Sequence, residues 1–251
     1  MTKITKICFW VLAFIPLITD KTIFSPANST FYMRSFLVLA CILFLIQFTL
    51  SKLFRNNTIE KIRTIIKNPL VISVIVFVLI SIVSTIFAID KYSAFWGNVE
   101  KAEGLVGVIY FFSFFIFSLL IFEKKDWLWF FKLSLFTSLI LLVKEFFEYF
   151  STGEINAFVG NATFLAGYLL FSIFCSFVVF SESKNIFYKY LSAITVILSL
   201  FGILIASSRG TIVGLAVGFL AILIYGTLKG KNISYKKLNF RKTSIIFLCL
   251  I

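Results

Sequence analysis

"LSAITVILSLFGILIASSRGTIVGLAVGFLAILIYGTL", Leu191–Leu228, contains one charged residue, Arg209. The apolar run on each side of it is close to the roughly 18–20 residues that a helix needs to cross a hydrocarbon core about 30 Å thick. The break between them, "ASSRG" (Ala206–Gly210), is short, so the two helices must be antiparallel neighbours. Arginine in or near a bilayer is expensive, so it either snorkels to the headgroups or binds something.

The rest of the chain repeats this pattern. Of its 251 residues 60% are hydrophobic and 34 are Phe, and its mean hydropathy is +1.03, well above the roughly 45–50% apolar usage of soluble domains. A transmembrane barrel would show strands of about ten residues with alternating hydrophobicity, and no such alternation is present. The fold class read from this is all-α: a polytopic transmembrane helical protein with about eight complete spans and a truncated ninth. The expected spans are the run "ICFWVLAFIPLIT" (Ile7–Thr19), kinked or ended by Pro16, then approximately 32–51, 69–88, 105–122, 127–147, 163–181, 187–206 and 210–228. The ninth begins near Thr243 and stops at Ile251, too short to cross. Residues 1–251 are therefore expected to be a single transmembrane domain, the N-terminal part of a longer protein.

The formal charge is +13, from 24 Lys and Arg against 11 Asp and Glu. These cations cluster in alternate loops, which speaks for membrane orientation rather than nucleic-acid binding. Lys52, Arg55, Lys61, Arg63 and Lys67 face a single Glu60 in residues 52–67, and Lys229, Lys231, Lys236, Lys237, Arg241 and Lys242 occupy residues 229–242 without an acid. The other loops are more balanced or acidic: 89–104 carries Asp90, Lys91, Glu100, Lys101 and Glu103, and 148–162 carries Glu148 and Glu154. The positive-inside rule then puts the N-terminus and the 52–67, 122–126, 182–189 and 229–242 loops in the cytoplasm. Residues 20–31, 89–104, 148–162 and 207–210 face outward, which sets Arg209 on the outer side against the charge bias.

Cys8, Cys41, Cys175 and Cys249 all lie in apolar runs without CxxC spacing, and read as small apolar residues. The chain has no histidine, and no phosphate-binding loop, zinc-protease or nucleophile-elbow motif. Neither a metal nor a cofactor is expected. Sequons at Asn56 and Asn232 fall on the cytoplasmic side and read as chance matches.

Three outward stretches carry the candidate chemistry. In the first, Gly202, Ala206, Gly210, Gly214 and Gly218 recur every four residues around Arg209, a small-residue face suited to close helix packing. In "FAIDKYSAFWGNVEKAEGLVGVIYFF" (Phe87–Phe112), Tyr92, Phe95 and Trp96 suit the membrane interface, and Asp90, Glu100, Lys101 and Glu103 supply charge. In "STGEINAFVGNATFLAGYLLF" (Ser151–Phe171), Gly160-Asn161 reads as a turn with Asn161 capping the next helix. Just upstream, Lys144 and Glu148 are spaced to pair along one helix face. Taken residue by residue, each stretch also reads as ordinary: a snorkelling arginine, a solvated loop with an aromatic anchor, an ion pair at a helix end.

In this order, "SAFWGNVEKAEGL", "FVGNATFLAGYLLF" and "SSRGTIVGLAVGFLA", with the opening hairpin "FIPLITDKTIFSPANSTFYMRSFLVLA", resemble the O-antigen ligase and polymerase superfamily of bacterial envelope glycosyltransferases. The resemblance covers essentially the whole chain. It implies a protein of about twelve spans in the bacterial inner membrane, moving glycan from an undecaprenyl-diphosphate carrier to lipid A-core or another glycan on the outer side. Arg209 stands where the family places an arginine on the diphosphate. The same resemblance sets Lys101, Glu103, Trp96 and Asn161 around the substrate cavity, and puts a further arginine and a histidine in an outward loop after the ninth span. Many relatives have arginine where this chain has Lys101, which keeps the charge but loses bidentate phosphate recognition. A polysaccharide polymerase of the same superfamily, a membrane transporter or lipid flippase, and a non-catalytic scaffold are the other readings.

Overall fold

The computed structural model describes residues 2–17, 26–97, 104–153, 162–229, 234–235 and 238–239. These are helical almost throughout, and the exception is a two-residue antiparallel pair that sets Ser234 opposite Asn239 and Tyr235 opposite Leu238. The helices are α1 (Thr2–Val11), continued by a 3₁₀ segment Leu12–Leu17, α2 (Pro26–Leu50), α3 (Lys52–Ile65), α4 (Pro69–Ile86) and α5 (Lys91–Trp96). They are followed by α6 (Leu105–Ile121), α7 (Lys124–Thr152), α8 (Ala162–Glu182), α9 (Ile186–Ile205) and α10 (Arg209–Lys229).

Five helices are long and apolar enough to cross a membrane: Thr30–Leu50, Pro69–Ile86, Lys124–Ser151, Ala162–Glu182 and Ile186–Ile205. Three of the eight expected spans are not among these. Leu105–Ile121 is a shorter apolar helix, and α10 has its side chains described only over Arg209–Ile224. In the first expected span α-helix gives way to 3₁₀ geometry at Leu12, with Pro16 inside that segment and without an N–H to continue the ladder. The expected ninth span lies outside the described residues.

Helix starts follow local chemistry. Asn68 accepts from the Leu70 N–H at 2.9 Å with Pro69 in the first turn, and Asn185 accepts from the Phe187 N–H at 2.9 Å. Asp90 opens α5 by accepting from the Ser93 N–H and hydroxyl, at 3.1 and 2.5 Å. Those bonds hold its carboxyl below the usual carboxylate range. Asp126, in the first turn of α7, accepts from the Glu123 N–H at 2.9 Å.

The expected 52–67 loop is mostly helix. Ser51 accepts from the Phe54 N–H at 3.3 Å, and α3 turns Phe54, Ile62 and Ile65 toward the first core cluster. Its other face carries exposed Lys52, Lys61 and Arg63, the division expected of a helix lying at the interface.

α7 is the central element. Its first half joins a cluster built from Phe9, Leu12, Leu37, Phe44, Ile121, Phe122 and Phe130. Its second half contributes Leu141 and Leu142 to a cluster with Leu165, Leu169, Ile173 and Ile203. Between lipid-exposed helices such packing gains dispersion energy and hydrogen bonds rather than release of water. Hydroxyls supply the bonds: Thr137 donates to the Ala13 carbonyl at 2.9 Å, and Ser172 to Ser138 Oγ at 2.8 Å. The outer faces are apolar, with Leu70, Phe77, Ile80, Val83 and Phe87 exposed on or just beyond α4, as a helix bordered by lipid requires.

One end of the bundle collects charge. Lys6 pairs with Asp126 at 2.5 Å and Lys124 with Glu182 at 2.8 Å, while Lys61 donates to the Leu120 carbonyl at 3.0 Å. The N-terminus, α3, the α6–α7 turn and the end of α8 therefore share that end, as the alternation of loop charge predicts. Cys8 and Cys175 are buried and Cys41 partly so, all as free thiols.

Candidate functional site

At the opposite end, α9 reverses into α10. The Ala206 N–H donates to the Gly202 carbonyl at 2.9 Å and ends α9. Ser207 then takes a left-handed conformation, φ 50°, alone among the described non-glycine residues. Its N–H donates to Leu204 O at 3.1 Å, and its hydroxyl reaches Leu204 O and Ile205 O at 3.4 and 3.3 Å, serving carbonyls that the helix end leaves over. The Ile212 N–H donates to the Ser208 carbonyl at 3.1 Å, so Ser208 caps α10 and Arg209 is its first residue. Ser208 Oγ and Thr211 Oγ1 lie 3.0 Å apart, bracing that first turn.

Arg209 is exposed and has no ion-pair partner among the described residues. A Cβ placed on Gly210 would meet nothing within 4 Å. An exposed guanidinium thus stands at a helix start, where the first N–H groups have no partner within the helix, with open space at the following residue. Both the charge and the helix end favour an anion.

The small-residue face divides. Gly202 is tightly enclosed: a Cβ there would lie 2.7 Å from Leu142 Cδ2, 2.9 Å from Leu169 Cδ1 and 3.2 Å from Glu145 Oε2. Gly214 and Gly218 instead receive the side chains of Leu170 and Phe174 from α8, at 3.6 and 3.2 Å. The glycines of α10 therefore admit side chains of α8.

Lys144 and Glu148 form the expected pair, at 3.4 Å along α7. Between them in sequence, Glu145 is wholly buried, and neither of its carboxylate oxygens has a hydrogen-bond partner among the described residues. The sequence reading passed over this residue. Nothing in its neighbours marks it, because its burial depends on Gly202 arriving from α9. Ser199, one turn before Gly202, is also wholly buried with an unpartnered hydroxyl.

Trp96 ends α5, half exposed, with its ring 5.0 Å from that of Phe95. The principal packing partners of α5 are α4 and α6, whereas those of α10 are α8 and α9, so Trp96 and Arg209 are carried by different parts of the bundle. Lys101, Glu103 and Asn161 lie outside the described residues. The ends of the stretch holding the first two are fixed. Gly97 has φ 78°, and a Cβ on Gly104 would fall 2.3 Å from the Gly97 nitrogen and 2.5 Å from Phe95 O. Gly97 and Gly104 thus form a close backbone contact. Beside it opens a cleft of about 350 Å³ lined by Ser81, Ser84, Thr85, Ala94, Gly104 and Leu105.

Fold and contacts together define an all-helical membrane protein with a capped, arginine-bearing helix start at one end of the bundle. Comparison with protein-family models, with curated proteins and with solved structures gives no match to this chain.

Proposed function

We propose that this chain belongs to a membrane glycosyltransferase that moves glycan from an undecaprenyl-diphosphate carrier to a glycan or lipid A-core acceptor. In this reading it spans the bacterial inner membrane eight times and more, with the N-terminus in the cytoplasm and Arg209 outward. The observation that carries it is Arg209 itself: exposed and first in α10, beside an open Gly210 at a helix start. The acceptor hydroxyl oxygen attacks the anomeric carbon, and the bond from that carbon to the diphosphate breaks. Negative charge grows on the departing diphosphate, where a guanidinium stabilises it through charge-assisted hydrogen bonds. The proton of the hydroxyl passes to a base that the family resemblance places in the outward loop after the ninth span. Lys101, Glu103, Trp96 and Asn161 would contact substrate, and surrounding lipids would hold the carrier's hydrocarbon chain. Neither metal nor cofactor is required.

The test is transfer in cells that depend on this protein, comparing the unaltered protein with Arg209→Ala at matched membrane abundance. Loss of transfer supports the reading. Near-normal transfer returns Arg209 to the role of a snorkelling cation. The second reading, a transporter or lipid flippase, is favoured by one observation: a wholly buried, unpartnered carboxylate at Glu145, the kind of group that marks ion and proton pathways in membranes.

A further inference from the structure

Of five buried side-chain oxygens without a hydrogen-bond partner among the described residues, one is on Glu148 and one on Ser183, and three are Glu145 Oε1, Glu145 Oε2 and Ser199 Oγ. The last three belong to one neighbourhood. Glu145 Oε2 lies 3.2 Å from where a Cβ of Gly202 would stand, and Ser199 precedes Gly202 by one turn on the same buried face of α9. Other buried hydroxyls along these helices are satisfied. Ser134 donates to Phe130 O at 3.0 Å, Ser138 to Leu135 O at 2.9 Å and Thr195 to Leu191 O at 2.8 Å. Three of the unsatisfied oxygens thus lie where α7 and α9 meet at Gly202, whose lack of a side chain lets the helices approach.

We propose that Glu145 and Ser199 form a binding site for a monovalent alkali cation, with Na⁺ as the probe ion. An ionised carboxylate buried without a counter-charge is too costly to persist. Its cationic neighbour in sequence is Lys144, which points to Glu148 and, being adjacent, does not share Glu145's face. Protonation would remove the charge and let the carboxyl and the Ser199 hydroxyl bond one another, so the proton is the competing occupant that the test must separate. A cation answers the charge and uses all three oxygens together. One carboxylate balances one positive charge, and among the described residues no trio of Cys, Asp or Glu is grouped to hold a metal ion, so a divalent ion would leave excess charge in an apolar setting. Oxygen-only ligation suits a hard ion. Gly202 also lies in the last turn of α9, where the helix end adds partial negative charge. The site is independent of the glycan-transfer reading, because Arg209 takes no part in it.

Binding of radiolabelled Na⁺ to the detergent-purified chain tests it, with choline chloride holding ionic strength constant. The expected result is saturable binding, displaced by unlabelled Na⁺ and lost in Glu145→Gln. Ser199→Ala should weaken it by about tenfold, the cost of one ligand to a charged group. Thermal unfolding of the same samples reports folding, and the midpoint of the unaltered protein should rise by about 2–4 °C at Na⁺ several times Kd. The proposal is overturned by absence of saturable binding, or by equal binding in Glu145→Gln. It is also overturned if the midpoint follows pH, not Na⁺, with that dependence gone in Glu145→Gln, since the occupant is then a proton.

Discussion

The carboxylate of Glu145 ends against Gly202: a side-chain carbon on that glycine would sit 3.2 Å from Oε2 and closer still to Leu142 and Leu169. One residue without a side chain thus lets α7, α8 and α9 close around a buried acid. Gly202→Ala should overpack this junction at about 1–3 kcal/mol, lowering the thermal midpoint in detergent. A midpoint equal to that of the unaltered protein would show the junction to be looser than the structure has it.

Ser207 holds a left-handed conformation one step before the capped start of α10. A residue with a Cβ pays roughly 1–2 kcal/mol there, offset in part by its hydroxyl bonds to Leu204 O and Ile205 O. Ser207→Val, branched and unable to make those bonds, should destabilise by about 2 kcal/mol, while Ser207→Gly should be neutral or stabilising. Thermal unfolding of the pair checks the order, and Val at or above Gly would contradict the turn geometry.

Gly104 touches the backbone of Gly97, Phe95 and Trp96. Backbone cannot step aside as a flexible side chain does, so Gly104→Ala should part α5 from the start of α6. The readouts are Trp96 fluorescence, taken against a Trp96→Phe control, and protease sensitivity between Gly97 and Gly104. Both should change in the variant while the rest of the bundle stays resistant. An unaltered cleavage pattern would mean that Gly97 and Gly104 are not in close contact.

Lys6 and Asp126 join the N-terminal helix to the start of α7 at 2.5 Å, with side chains only 18% and 5% exposed. Removing one partner of a buried pair typically costs about 3–5 kcal/mol. Asp126→Ala also frees the Glu123 N–H, so it should be more harmful than Lys6→Ala. The order of the two midpoints is the check.

Much of this architecture was legible from run length alone. The apolar stretches at 32–51, 69–88, 163–181 and 187–206 became α2, α4, α8 and α9 within a few residues at the end that follows each cap, although α2 begins earlier, at Pro26. Two of them begin at caps, Asn68 with Pro69 and Asn185. α3 was hidden because its charge made it resemble a loop, yet Ser51 and the spacing of Phe54, Thr58, Ile62 and Ile65 carried the helical period. α7 runs longer than its apolar core because Asp126 caps it early and the Lys144–Glu148 pair extends it late. Arg209 could be placed at the break between two spans from the flanking apolar runs alone. Glu145 could not be found, since a carboxylate between Lys144 and Glu148 looks solvated until Gly202 covers it. Composition says which helices border lipid, but not which polar residue the partners of a helix enclose.

The central claim, that Arg209 with the start of α10 binds the diphosphate of a lipid carrier, is most directly tested by binding itself. Purified protein in nanodiscs should bind a fluorescent polyprenyl diphosphate, and Arg209→Ala should weaken that binding by about tenfold or more, the worth of a charge-assisted hydrogen bond. Arg209→Lys should fall between the two, because it keeps charge without the bidentate fork. Equal affinity in all three proteins, at unchanged thermal midpoint, would contradict the account.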